Sequence, residues 1–380
     1  MRGFTSISVL LMLIVAVSCR DRPSALPLSD YVSAVLSDTS LVEYHIIKEY
    51  SSDVTGSIAV IGDASDVLPT VETLILFDSF DNIDARSVPD GLADFAGERV
   101  DAYFSEPSSF PSVDSVSGNP IPISDLSVRE FIASLDSSCL YTPFDLSRTE
   151  RKARAKAVVI ASPSFSFQGG HDIDTLCHIA GLGVPVLSSV EEMLRFALDN
   201  NSQPAKVCLW TTSQRAAAVP YNTLFARVGG REDGLKVITP EAGESGLWSM
   251  LISFLDKYME DGSMRQISVV AVDDPSLDLA GLGSVCDSLR STSSEELIKY
   301  RNLFSKEFQF VSAPQVVSRS LYRLLRESNG FTHRIASPEA SVYILDSSNV
   351  FRLRESLLSD SLGCLMERTA PNVLSRHVRP

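Results

Sequence analysis

The stretch that decides the fold is AVVIASPSFSFQGGHDIDTLCHIAGLGVPVLSS, residues 157–189. AVVIA at its start and VPVL near its end are unbroken apolar runs. That is how strands covered on both faces read, since a half-exposed strand would alternate. Between them, DIDTLCHIAGLG carries Ile173, Leu176, Cys177 and Ala180 at helical spacing and closes on glycines suited to a C-cap. A strand, a covering helix and a second buried strand predict a parallel βαβ unit. Gly169 and Gly170 allow a close backbone approach, and Asp172 is expected as the helix N-cap.

The same rhythm extends outward. Towards the N-terminus, LSDYVSAVLSD reads as a helix, GSIAVIGD as a buried strand, ASDVLPTV as a short helix interrupted by Pro69, and ETLILFDS as a second strand. Residues 80–126 are rich in Asp, Ser, Pro and Gly around one strand-like island, RVDAYFSE. SVREFIASL and SRTERKARAK are expected as helices. Beyond residue 189, strands AKVCLWTT, LKVITPE, QISVVAVDD, FQFVSAP and ASVYILDS alternate with amphipathic helices that include GLWSMLISFLDKYMED, SEELIKYRNLFSKEF and VVSRSLYRLLRES. The class is α/β: two Rossmann-like lobes with mainly parallel sheets covered by helices on both faces. So many strands exceed one compact sheet, which places a first lobe at 31–205, with an irregular insertion at about 80–126, a second lobe at 206–350 and a C-terminal extension at 351–380.

The first residues hold Arg2, an apolar run from Ile7 to Val17 and then AVSC, ending at Cys19. That run is too short to span a bilayer and has the length of a signal-peptide core. The small-residue site before Cys19 resembles the lipobox of bacterial lipoproteins. The resemblance implies a signal peptide at 1–18, lipidation of Cys19, a tether at 19–30, and a protein held at the bacterial cell envelope by a lipid anchor, facing the periplasm or exterior. The formal charge of −15, carried by scattered acidic groups, argues against a nucleic-acid partner and leaves membrane association to the lipid. With Cys19 lipidated, Cys139, Cys177, Cys208, Cys286 and Cys364 remain, none in CxxC spacing. Cys177, Cys208 and Cys286 read as small buried hydrophobes, while Cys139 and Cys364 could be bridged.

In open parallel sheets ligands bind beyond the carboxyl ends of the strands. The residues there are Asp63 and Ser65; Asp78, Ser79 and Asn82; Ser162, Ser164 and Gln168; Ser188 and Ser189; Thr211, Thr212 and Ser213; Glu241; and Asp273 and Asp274. Individually each could simply cap a helix. Collectively they suit a cleft that hydrogen-bonds a small polar ligand, and the candidate contacts are Asp63, Asp78, Asn82, Ser162, Ser164, Gln168, Thr211, Thr212, Glu241, Asp273 and Asp274. His171 beside Asp172 and Asp174 is a weak basis for a metal site, because adjacent helical residues do not face one another. The chain lacks the G-x-S-x-G elbow, the full dinucleotide fingerprint and the P-loop, so no cofactor is expected.

From about residue 154 to 290 the order of strands and helices, from KAVVIASPS through GLGVPVLSS and KVCLWTT to SVVAVDD and LAGLGSVCDSL, resembles the type I periplasmic binding proteins. That resemblance implies two lobes clamping a solute, with Ser162, Ser164, Thr211 and Asp273 near it. The same rhythm is similar to the glutamate and aspartate racemases, whose first Cys-Asn-Thr would fall on Ser162, Pro163 and Ser164 and whose Cys-Thr-His would fall near Val272, Asp273 and Asp274. Both cysteines are absent, and a serine is a far poorer acid–base group than a thiolate. The leading expectation is therefore a lipid-anchored protein that binds a small polar ligand between its lobes without catalysis. An enzyme of hydrolase or racemase type in the same cleft, using Ser162, His171 and the Asp273–Asp274 pair, is the alternative. A third reading is a structural lipoprotein with a protein partner.

Overall fold

Ser57–Ile61 (β1) is buried throughout, and apolar from Ile58 on, because both its faces are covered: Ile58 and Val60 pack into one core, Ala59 and Ile61 into the core on the other side. The structure, a computed structural model, describes residues 28–82, 86–105, 121–142, 145–201, 206–241, 243, 246–260, 262, 265–345 and 364–367, without the side chains of 140–149 and 364–367. The expected signal, Cys19 and most of the tether lie outside the described residues, as does nearly all of the C-terminal extension.

Helices α1 (Asp30–Ser37) and α2 (Val42–Glu49) precede β1. After it come α3 (Ala64–Leu76), β2 (Arg99–Ser105), α4 (Ile123–Leu135), β3 (Ser138–Thr142), β4 (Asp145–Arg151), β5 (Ala155–Ile160), α5 (Pro163–Gln168), α6 (Gly170–Ala180) and β6 (Val186–Ser188). The chain continues through α7 (Ser189–Asp199), β7 (Val207–Thr211), α8 (Ser213–Ala218), α9 (Tyr221–Arg227), β8 (Leu235–Ile238), α10 (Leu247–Met259), β9 (Ile267–Asp273), α11 (Leu279–Ser291), α12 (Ile298–Arg301), β10 (Phe304–Ser312), α13 (Ala313–Glu327), β11 (Glu339–Leu345) and β12 (Cys364–Glu367). The first sheet has the order β4-β3-β12-β11-β2-β1-β5-β6, in which β11 to β6 are parallel; the second, β10-β9-β7-β8, is wholly parallel. Helices cover both faces of each sheet, so the α/β class with two Rossmann-like lobes holds.

Several local expectations are corrected. ETLILFDS is no strand: α3 runs straight through Pro69, because Val67, Val71 and Leu74 form one buried helical face whose packing outweighs the proline. The second strand is instead the island Arg99–Ser105, so the irregular insertion contains a central strand of the first sheet. SRTERKARAK enters β4, paired antiparallel with β3, rather than a helix. SEELIKYRNLFSKEF gives only a short 3-10 turn and α12 before β10 begins at Phe304. α6 starts at Gly170 with Gly169 as its cap, so Asp172 sits inside the first turn. Gly169 is required there because a Cβ would stand 1.6 Å from Ser127 Oγ.

The lobe boundary is also not where the sequence puts it. β11, expected in the second lobe, inserts beside β2 in the first sheet, where Val342 and Tyr343 extend the buried cores. α7 follows a strand of the first sheet, yet Val190, Met193, Leu194 and Ala197 pack on β7 and β9. Conversely α13 follows β10, and its Val317, Leu321, Tyr322 and Leu325 pack on the first sheet. Each sheet thus receives a helix from the other. Among the described residues no helix is long and apolar enough to cross a membrane. Among the described residues the thiols of Cys139, Cys208 and Cys286 are buried and that of Cys177 is half-buried, and none of the four is in a disulfide.

Candidate functional site

Each sheet has one point where successive connections leave in opposite directions. In the first sheet β1 leads towards β2 on one side, while β5, on its other side, leads towards β6. In the second, β7 leads to β8 and β9 leads to β10. Such points leave a crevice beyond the strand ends. The first crevice holds Asp63 and Ser162, the second Thr211 and Asp273, and the two face each other.

Ser162 is fully buried. Its hydroxyl accepts from the Asp63 N–H at 2.6 Å and donates to Asp66 Oδ2 at 2.9 Å. The other oxygen of Asp66 pairs with Arg215 Nη2, and Arg215 Nη1 donates to Asp273 Oδ1 at 2.9 Å. Asp273 Oδ2 accepts from the Tyr221 hydroxyl, and Thr211 Oγ1 donates to the Asp273 carbonyl at 3.0 Å. A chain of hydroxyl, carboxylate, guanidinium, carboxylate and hydroxyl therefore crosses from one lobe to the other. Asp66 and Asp273 also border a cavity of about 230 Å³, closed by Thr70 and Thr73 of α3, Asp274 and Ser312.

Two buried carboxylates share one cation here, and their proton affinities respond. Burial raises the pKa of Asp66 to about 6, partly opposed by Arg215 and reinforced by Asp273. Burial likewise raises Asp273, opposed by Arg215 and Tyr221. The Tyr221 phenol is pushed up by burial and by Asp273, so it stays a donor. Beneath the first crevice, Glu130 is buried with its carboxyl raised well above the usual range by desolvation, accepting from Gly62 N–H at 2.9 Å and Ser105 Oγ at 3.0 Å.

Of the expected site residues, Asp63, Ser162, Ser164, Thr211, Asp273 and Asp274 are gathered at this cleft. Ser164 Oγ reaches Asp63 Oδ2 at 3.4 Å, and Asp274 lines the cavity while accepting from Ser276. Thr212 caps α8, accepting from the Arg215 N–H at 3.3 Å, and so places that arginine. The others lie elsewhere. Asp78 accepts from the Asp90 and Gly91 backbone, and Asn82 donates to Asp90 and Ala93, closing a surface loop. Gln168 is exposed at the end of α5, and Glu241 is exposed and paired with Lys257 at 2.9 Å. Ser188 caps α7. Ser162 donates to Asp66 and not to an imidazole, so the Ser162–His171 hydrolase arrangement is absent. Among the described residues no group of three or more His, Cys, Asp or Glu side chains is placed to hold a metal ion.

Sequence reasoning missed Asp66, Arg215 and Tyr221. Asp66 and Arg215 each stand three residues past a named strand-end residue, Asp63 and Thr212, one helical turn on. That spacing is the signal that would have found them, because the first turn of each following helix lines the same crevice as the strand end.

No protein-family model matches the chain, and no curated protein matches it. Among solved structures it is similar to glutamate racemase from Francisella tularensis subsp. tularensis SCHU S4 in complex with D-glutamate, at 13% identity and a TM-score of 0.42 over 81% of this chain and 95% of that one. It is also similar to glutamate racemase isoform RacE1 from Bacillus anthracis, at 13% identity and 0.42 over 80% and 92%. Glutamate racemase from Thermus thermophilus in complex with β-chloro-D-alanine matches at 12% identity and 0.39 over 82% and 96%. Of the two resemblances drawn from the sequence, these matches go to the racemases and not to the periplasmic binding proteins. The expectation of binding without catalysis is corrected: the structures matched are enzymes. The likeness is one of architecture, and the chemistry has to come from the side chains of the cleft.

Proposed function

We propose that this chain is an enzyme that moves a proton on a small polar molecule, an isomerase or racemase type of reaction, with Asp66 and Asp273 as its acid–base pair. The observation that carries this reading is that two buried carboxylates, one from each lobe, border one cavity and share a single guanidinium. Burial moves both carboxyls upward, towards the working range in which a group can both hold and release a proton near neutral pH. Groups on opposite lobes can address opposite faces of a substrate carbon, one removing a proton and the other returning it. Ser162 is not the nucleophile in this reading. It is fully buried, does not line the cavity, and spends its only proton on Asp66.

The test is proton exchange in D2O. The protein is incubated with a panel of L- and D-amino acids and 2-hydroxy acids, and loss of the α-proton signal is followed by proton NMR. Exchange is expected with at least one member, falling by about 100-fold or more in Asp66→Asn and in Asp273→Asn, the range associated with loss of a general acid or base. A folded wild-type protein that exchanges no proton across the panel overturns the reading.

A further inference from the structure

We infer that Ser162 is a positioning residue: together with Arg215 it occupies the two oxygens of Asp66 from the closed side of the crevice, leaving only the cavity side for the proton that Asp66 takes up. This inference rests on the acid–base reading for its catalytic meaning, but its geometry stands separately. The Ser162 hydroxyl has one proton and must place it. The Asp63 N–H, at 2.6 Å, already points at the oxygen, so the hydroxyl turns its hydrogen to Asp66 Oδ2. Arg215 Nη2 takes Oδ1 from the other lobe. Each oxygen keeps a second lone pair, and the open space next to Asp66 is the cavity it lines.

The surrounding backbone is shaped to permit this contact. Gly62 adopts φ 139°, and a Cβ there would stand 2.5 Å from Ser162 Oγ, so a side chain at 62 would push the serine off its carboxylate. Ser162 is held from behind as well: the Ser166 hydroxyl donates to its carbonyl at 3.1 Å, and Pro163 opens α5 directly after it. The charged and titratable groups near Asp66 are Arg215 and Asp273 from the second lobe, Asp63 on its own turn and Asp274 across the cavity. Of these, Arg215 bonds to the Asp66 carboxylate directly, as the Ser162 hydroxyl does. A hydrogen bond to the charged form lowers a carboxyl pKa, so the serine works against the upward pull of burial.

The experiment is a carbon-13 NMR titration of the Asp66 carboxyl, assigned by its disappearance in Asp66→Asn, in the wild type, Ser162→Ala and Ser162→Cys. Removing the hydroxyl is expected to raise the Asp66 midpoint by about one pH unit, as befits a lost hydrogen bond to a charged group, with the weakly donating thiol in between. Should the alanine variant fail to melt cooperatively, the cysteine variant carries the comparison. Equal midpoints in wild type and variants overturn the inference, and so does a lowered one. No substrate is needed, so a shifted midpoint alongside absent proton exchange leaves the positioning role standing and removes the acid–base reading alone.

Discussion

The two ends of β5 carry buried charge in opposite ways. At its amino end Lys156 pairs with Glu98 at 2.7 Å and donates to the carbonyls of Val54 at 2.8 Å and Gly330 at 2.7 Å; both charged side chains are almost wholly buried. One cation meets one anion there, and backbone carbonyls take the remaining donors. Just past the carboxyl end, Ser162 leads into a cluster where Asp66 and Asp273 share Arg215 beside a cavity. A balanced pair can be sealed in without further chemistry. An unbalanced one stays poised to take up a proton, which is why burial alone does not mark a site and the charge count does.

The largest expected effect tests the balanced end. Lys156→Met leaves Glu98 buried without its cation, and chemical denaturation should show a loss of about 4 kcal/mol, with the Asp66 titration unchanged. Next is the pH dependence at the unbalanced end. The folded Asp66 carboxyl titrates at about 6 against an unfolded 3.8, so its stabilising contribution is complete below 3.8 and disappears as pH rises through 6. The stability difference between wild type and Asp66→Asn should therefore change by about 3 kcal/mol between pH 3.8 and pH 7, read from denaturation curves at each pH. A flat difference would show that Asp66 is not held apart from water. Gly62→Ala should cost about 2 kcal/mol from backbone strain and should also move the Asp66 midpoint in the same direction as Ser162→Ala. Smallest of all, Glu241→Gln breaks only an exposed pair with Lys257 and should leave melting temperature and proton exchange unchanged.

The class of fold was legible because buried parallel strands carry apolar runs such as residues 58–61 and 157–160, with their few polar residues at the strand ends. β1, β5, β7 and β9 are recognisable on that ground, and the structure brings Ser162, Thr211 and Asp273, at or just past the ends of three of them, to one cleft. What escaped was set by distant contacts. α3 was hidden by Pro69, whose cost is outweighed by a helical face that only the folded core supplies. β11 carries no local mark of the sheet it joins. Asp66 and Arg215 sit inside helices, where a lone charged residue reads as a solvated face until the opposite lobe is brought against it.

The reciprocal placement of α7 and α13 bears on how the chain can be divided. Cut between α7 and β7, the first fragment would keep a helix fitted to the second sheet and would lack both α13 and the strand that fills the gap beside β2. Neither piece owns a finished core, so the two should fold only when mixed, and the intact chain should melt in a single calorimetric transition although its architecture shows two sheets.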